Sequence, residues 1–387
     1  MRKSLFIISI FLASFVIVIP SNAQWKKQSK DFTLNKFKEK IPELLSLTNA
    51  GKEFWVTFLP CFESANAVIS TLKVYVSSAV KTVVTLEIPG KGYYNQRPTI
   101  PNDIIEFTID PSLGQPYRKT DLQPAEPEQV YPGFGLHIFA DDPIIVYGVT
   151  RFTATSDSYL ALPVSSLGKE YIVASWADIA DNGVSFGQYL PSYTACVAAF
   201  DRTVVRFTLG GTNYTTTAGG MKPGETKSVT LYKGDVFMLG SFGNLADLSG
   251  SKWRATKPVA VISGSYAAYI PTNICCWDYI VEMELPTNTW GKEYHYTPIA
   301  GRLKNSMIKI FAKENNTNVN RDGNFLGTIN YAGGLEGEGW FRMRAGEGSP
   351  KPFVFSADKP ISVTQYNCGQ LDDGIQSDPF QMVLTPL

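Results

Sequence analysis

Side chains suited to catalysis or metal binding are sparse in this 387-residue chain, which holds two histidines and five cysteines. Nucleophilic catalysis of the Ser-His-acid kind needs a histidine within reach of an activated serine. His137 alternates with apolar residues in Gly135-Leu136-His137-Ile138-Phe139, and His295 stands in Tyr294-His295-Tyr296, so both are expected on the polar face of a strand. The sequence contains no Gly-x-Ser-x-Gly elbow, phosphate loop, dinucleotide fingerprint or His-Glu-x-x-His. Neither histidine lies near a cysteine, which disfavours zinc, and Asp372-Asp373 lacks the company of a calcium loop and reads as a solvated turn. The expectation is therefore no catalytic residue, no cofactor and no metal. A carbohydrate-active hydrolase is the opposing reading, because a pair of glycosidase carboxylates leaves no motif.

An odd number of cysteines in an oxidising compartment leaves at least one unpaired within the chain. Cys61, Cys275, Cys276 and Cys368 are the disulfide candidates, with a bond from one of Cys275 and Cys276 preferred and its partner open. Cys196 falls at a strand position and reads as a buried free thiol acting as a small apolar residue.

The elements that must position these residues come in three copies. Gly51-Lys52-Glu53-Phe54 recurs as Gly168-Lys169-Glu170-Tyr171 and as Gly291-Lys292-Glu293-Tyr294. Each phrase is followed by a Thr-x-Val strand core (Thr82 to Val84, Thr203 to Val205, Thr317 to Val319), then by a charged residue and a proline opening a strand. Those openings are Asp142-Pro143, Lys257-Pro258 and Lys359-Pro360, and the copies stop at Pro163, Pro286 and Pro386. Ordered landmarks of this kind indicate an internal repeat, and a spacing of roughly 120 residues makes each copy a domain's worth. Aligning the Thr-x-Val cores puts Cys196 at the positions of Tyr75 and Ile310. The repeated glycine phrase by itself reads as a hairpin turn leading into a strand.

Val84, Leu86 and Ile88 alternate with Val83, Thr85 and Glu87, as Val205, Phe207 and Leu209 do with Val204, Arg206 and Thr208. Period-two alternation with dense glycine and proline turns means sheets with one face in a core. The fold class is all-β: three tandem β-sandwich-like repeats, 51–163, 168–286 and 291–387, packed into one body. A closed pseudo-threefold propeller or trefoil is the alternative. Lys227 to Tyr232 and Val236 to Leu239 read as a hairpin about Lys233-Gly234-Asp235. The third copy is shorter in its middle, having lost strands or a loop. The stretch Lys91 to Pro132 reads as an irregular insertion, the expected place for a binding surface.

Residues 1–23 read as a secretory signal, with Arg2 and Lys3, an apolar run from Leu5 to Ile19, and Ser21-Asn22-Ala23 before the cut. Residues 24–50 form a lysine-rich lead-in linker, and no later stretch is long and apolar enough to span a membrane. With 35 basic and 35 acidic residues and no basic cluster, a nucleic-acid partner is disfavoured.

Ser263-Gly264-Ser265-Tyr266 after Lys257-Pro258-Val259-Ala260-Val261, then Cys276-Trp277-Asp278-Tyr279-Ile280-Val281-Glu282-Met283, Leu285-Pro286 and Trp290-Gly291-Lys292-Glu293-Tyr294, follow one another in a recognisable order. With Asp247-Leu248-Ser249-Gly250-Ser251, Leu167 to Tyr171, and Asp358 to Ile361 followed by Gln365-Tyr366, this pattern resembles the N-terminal domain of IgG Fc-binding proteins across about residues 51–387. The resemblance implies a secreted, non-enzymatic binding domain of a kind found in mucus-associated animal proteins and in bacterial exported proteins, this chain reading as a bacterial member. Where the family often carries a first cysteine in the loop after Tyr266, this chain has Ala267 and Ala268. The expected role is extracellular or cell-surface recognition of a glycoprotein, glycan or protein ligand, with a spacer between other domains as a further alternative.

Overall fold

The alternating pattern becomes strand through most of the chain. The computed structural model describes residues 49–387 except 63–69, 179–187, 273 and 334. The expected signal at 1–23 and nearly all of the lead-in at 24–50 lie outside the described residues.

Strands β1 (Gly51–Val56), β2 (Ser70–Ser77), β3 (Val83–Ile88), β4 (Tyr93–Pro98) and β5 (Ile104–Ile109) come first, then β6 (Gln129–Tyr131), β7 (Leu136–Phe152) and β8 (Ser156–Leu160). The second copy supplies β9 (Gly168–Ile172), β10 (Ser192–Ala198), β11 (Thr203–Thr208), β12 (Thr216–Thr217), β13 (Thr226–Leu231), β14 (Val236–Phe242), β15 (Lys252–Ala268) and β16 (Asp278–Met283). The third supplies β17 (Gly291–Tyr296), β18 (Met307–Ala312), β19 (Thr317–Arg321), β20 (Asn324–Ile329), β21 (Trp340–Arg344), β22 (Phe353–Asn367) and β23 (Phe380–Val383).

One wiring serves all three copies. A long strand, β7, β15 or β22, runs through the middle of each sheet. Its first half pairs with β1, β9 or β17 on one side and β3, β11 or β19 on the other. Its second half pairs with β2, β10 or β18 and with the closing strand β8, β16 or β23. Strands β4, β13 and β20 extend one side, and β5, β14 and β21 the other. Each sheet thus curls into two layers that share one strand and enclose a core, giving three β-sandwich-like units.

The repeated landmarks now have physical causes. Pro143, Pro258 and Pro360 sit where the long strand changes partners, a place that tolerates a residue with no N–H to give a ladder. The glycine that opens each phrase is a strand residue and no turn: Gly51, Gly168 and Gly291 stand opposite Ile144, Val259 and Ile361 with a bulge beside them. A Cβ at these glycines would lie 2.2, 2.3 and 2.4 Å from Cβ of Pro163, Pro286 and Pro386, so the opening glycine and the closing proline of each copy form one joint. The Tyr171 hydroxyl spans the bulge, accepting from Gly168 N–H at 2.7 Å and donating to the Val259 carbonyl at 2.7 Å. Tyr294 does the same with Gly291 and Ile361, whereas Phe54 has no hydroxyl to give.

Three expectations need correcting. β13 and β14 do not pair: the Lys233-Gly234-Asp235 link carries the chain from one layer to the other, with the Asp235 carboxylate accepting from Tyr232 and Gly133 N–H. The third copy is shorter in its middle, as expected, because it lacks the loop that carries β12 in the second. Lys91 to Pro132 contains β4 and β5, and then β6, which adds to β14 of the second sheet; Lys119, Ala125 and Glu128 of its irregular part are buried. Pairing with the long strand makes Val76, not Tyr75, the equivalent of Cys196 and Ile310, because Val76, Cys196 and Ile310 face Val146, Val261 and Val363, each three residues past the bend proline.

Thr48–Leu387 makes one compact unit. The second and third sandwiches each turn the outer face of the layer built on β10 or β18 toward the preceding copy. Ala195, Val197, Ala260 and Ile262 join the first copy's core residues in one cluster, and Phe311 joins Ile172, Ala174 and Trp340 in another. A closed threefold arrangement would cover the same face of the first copy, yet Ile104, Ile145 and Tyr147 there are exposed.

Candidate functional site

Between the second and third units two neighbouring recesses share one wall. The loop after β11 and the loop before β21 meet where Glu336 N–H donates to the Gly211 carbonyl at 3.0 Å, and Leu335 borders both hollows. One hollow, about 360 Å³, is lined by Pro223, Lys252, Tyr331 and Glu338 among others. The other, about 330 Å³, is lined by Asn213, Tyr214, Thr272, Glu336 and Arg342 among others. Gly211 has φ +98°, and a Cβ there would lie 2.1 Å from the Asp247 carbonyl oxygen, so only glycine lets this loop pack so closely on the Asp247 backbone.

Each hollow carries one exposed tyrosine, Tyr331 at 56% and Tyr214 at 67%. Arg342 is tied to Glu336 at 3.1 Å. Burial first, and then neighbouring Arg254, draws the Lys252 ammonium below its usual range. An open recess with aromatic faces and several polar groups suits binding of a polar molecule that also has apolar faces.

The floor behind this cleft is a fully buried cation. Lys309 Nζ donates to Asp247 Oδ2 at 2.7 Å, to the Ser175 carbonyl at 2.7 Å and to Ser249 Oγ at 2.9 Å. The rings of Trp176 and Trp340 each lie 4.6 Å from the ammonium. Burial works against charge on Asp247, but the Lys309 ammonium outweighs it and holds the carboxyl below its ordinary range. Three donors matched to three acceptors, with no exposure, make this a structural bolt between units.

The groove at the ends of β8, β16 and β23, about 460 Å³, gathers Asp157, Asp278 and Asp378 and is the place to look for a hydrolase pair. Asp157 accepts from Ser158 and Val281 N–H at 2.7 and 2.9 Å, and burial raises its carboxyl. Asp278 accepts from the Thr155 hydroxyl and from Tyr279 N–H. Both acids join the first unit to the second, a role the sequence did not suggest.

The remaining sequence candidates lie elsewhere. Cys275 and Cys276 are bonded to each other, in a loop that rests on the third unit through Leu371 N–H to the Cys275 carbonyl at 3.0 Å. Cys61, Cys196 and Cys368 are buried thiols. His137 stacks on Trp55 at 4.2 Å between Glu87 and Glu53, at 2.8 and 3.0 Å, and His295 faces Glu293 at 3.3 Å. Asp372 and Asp373 are not a solvated turn: Arg344 holds Asp372 at 2.7 Å and Arg302 holds Asp373 at 2.9 Å. No group of acids, histidines and cysteines able to hold a metal ion occurs among the described residues, and none of their helices is long and apolar enough to cross a membrane.

A family model described as IgGFc binding protein matches residues 157–387, from the closing strand of the first unit to the end of the chain. The human IgGFc-binding protein is 29% identical over 250 residues, which is 64% of this chain and 4% of that protein. This chain therefore spans a small part of its curated relative. No solved structure matches.

Proposed function

From the premise that the chain belongs to the IgGFc-binding protein family, we propose that it is an exported, non-catalytic recognition domain that binds a glycoprotein through its glycan. The proposal takes 1–23 as a removed signal, 24–50 as a linker and 51–387 as the recognition domain, placed outside the cell or on its surface. The observation that carries it is the double recess between the second and third units, with Tyr331 and Tyr214 presented at its two hollows. Sugar rings have apolar CH faces and polar rims, and exposed tyrosines beside Lys252, Glu338 and the Arg342 held by Glu336 offer both kinds of contact. The cleft is built from the part of the chain that the family model covers.

The test is binding of the exported chain to immobilised mucin, deglycosylated mucin and IgG Fc, with product analysis of the glycans. Binding that is lost on deglycosylation, and weakened at least tenfold in Y331A/Y214A, with glycans intact, is the expected result. Released sugars would establish the hydrolase reading in its place. Binding to Fc alone, indifferent to both tyrosines, would move the site off this cleft.

A further inference from the structure

The layer built on β2 in the first unit has the same outer face that the second and third units bury against their predecessors. Register equates Tyr75 with Ala195 and Lys309, Ser77 with Val197 and Phe311, and Ile145 and Tyr147 with Ala260 and Ile262. In the second unit the β10 residues are buried on both faces, and in the third Lys309 and Phe311 are buried against the second unit. In the first unit Ile104 is 64% exposed, Tyr147 42% and Ile145 36%. These residues adjoin one another: Ser77 pairs with Ile104 on one side and Ile145 on the other, and Tyr75 pairs with Tyr147.

The margin of this face is also open. In the second unit the corresponding edge strand, β14, is extended by β6, contributed by the first copy's stretch of chain. Backbone addition at this edge is thus a way in which this molecule joins units. Strand β5 pairs only with β2 among the described residues, so it presents an unpaired backbone edge beside a face on which Ile104, Ile145 and Tyr147 surround the Lys73–Glu106 ion pair, and an unpaired edge invites strand pairing.

The chain's own far end does not suit this face. In the first two units the residues that run out from the opening strand toward the next unit are Trp55 and Thr57, then Ile172 and Ala174, all buried. The third unit carries His295 and Thr297 at these positions, both exposed, so its corresponding face is polar and does not match the exposed Ile104, Ile145 and Tyr147 of the first unit. A head-to-tail filament is therefore disfavoured. An antiparallel pairing of one strand with its own copy is two-fold by construction, which makes the β5 edge self-complementary, and a two-fold contact closes after one partner.

We propose that two copies of this chain associate about a two-fold axis at β5, joining the β2 layers of the two first units into one continuous sheet and covering Ile104, Ile145 and Tyr147. This leaves the cleft between the second and third units open in both copies, so the dimer would present two recognition sites, and bivalence strengthens capture on a surface dense in ligand.

Sedimentation velocity of the exported chain over a concentration series tests the proposal, with I104K and Y147K as variants. Both side chains face water, so a charge there leaves the fold intact, which circular dichroism checks. The expected result is a concentration-dependent dimer that both variants reduce to monomer, and an interchain disulfide in E106C at the middle of β5. A wild-type chain that stays monomeric throughout overturns the proposal, as does a dimer that persists unchanged in both variants. Open-ended oligomers would overturn the two-fold axis specifically.

Discussion

Replacing Lys309 by methionine keeps the length and apolar stem of the side chain and deletes the ammonium. Its three acceptors then fare differently. The Ser175 carbonyl still accepts from Ser249 Oγ and Tyr366 OH, both at 3.1 Å, but Asp247 keeps the Ser249 N–H at 2.8 Å and loses its counter-charge. Removing one partner of a buried pair leaves an uncompensated charge and costs about 3–5 kcal/mol. Lys309→Met is expected to fall in that range. Removing both charges in Lys309→Met/Asp247→Asn should recover about 2 kcal/mol of the summed single costs, since coupled neighbours depart from additivity by roughly 0.5–3 kcal/mol. Urea unfolding followed by tryptophan fluorescence is the assay, because Trp176 and Trp340 flank the ammonium and report on this seam. A single-variant cost below about 1 kcal/mol, or strict additivity in the double variant, would refute the view that the pair bolts the second unit to the third.

Two further outcomes follow from the joints and the buried acids. Gly168→Ala drives a Cβ into Pro286 in mid-chain and should cost about 1–3 kcal/mol. Gly291→Ala drives a Cβ into Pro386 in the same way and should cost a similar amount, and a negligible cost at either site in chemical denaturation would count against the joint. Burial raises the carboxyls of Glu284, just past the end of β16, and of Glu282 within it to about 7 and about 8, from an ordinary 4.5. A carboxyl raised on folding holds its proton more tightly in the folded chain, so its contribution is fully present below about pH 4.5 and is lost as pH rises through the folded value. Stability should fall between about pH 5 and 8, by up to about 3 kcal/mol from Glu284 alone, and Glu284→Gln should flatten that slope. Denaturation midpoints that stay level or rise across this range in the wild type would contradict it.

The landmarks that disclosed three copies in the sequence are the ones with one-residue causes. A glycine is demanded where the opening strand meets the closing proline, and a proline is tolerated where the long strand changes partners. Both leave a fixed residue type at a fixed place. Loop lengths leave no such trace, and for that reason the Thr-x-Val alignment slipped by one residue at Tyr75 and the Lys233-Gly234-Asp235 link passed for a hairpin. A short glycine-bearing loop looks the same whether it returns the chain in one layer or carries it to the other. Asp372 and Asp373 look like a solvated turn because Arg302 and Arg344, which hold them, are 71 and 28 residues away. The cleft tyrosines had no local signal either, since Tyr214 and Tyr331 become neighbours of a shared wall only when two units dock.

The recurring landmarks determined that this protein has three similar units, and alternation determined that it is all-β, because a strand with one face in a core must repeat every two residues. It could not determine what covers the other face. At one equivalent position the chain carries Tyr75, Ala195 and Lys309: the first is partly exposed, the second is buried against an apolar core, and the third is buried on a carboxylate 62 residues distant. Burial of that second face depends on which unit docks there and what it offers, and those are contacts between residues far apart in the chain. Only the tertiary structure decided them, and with them the cleft and the open first face.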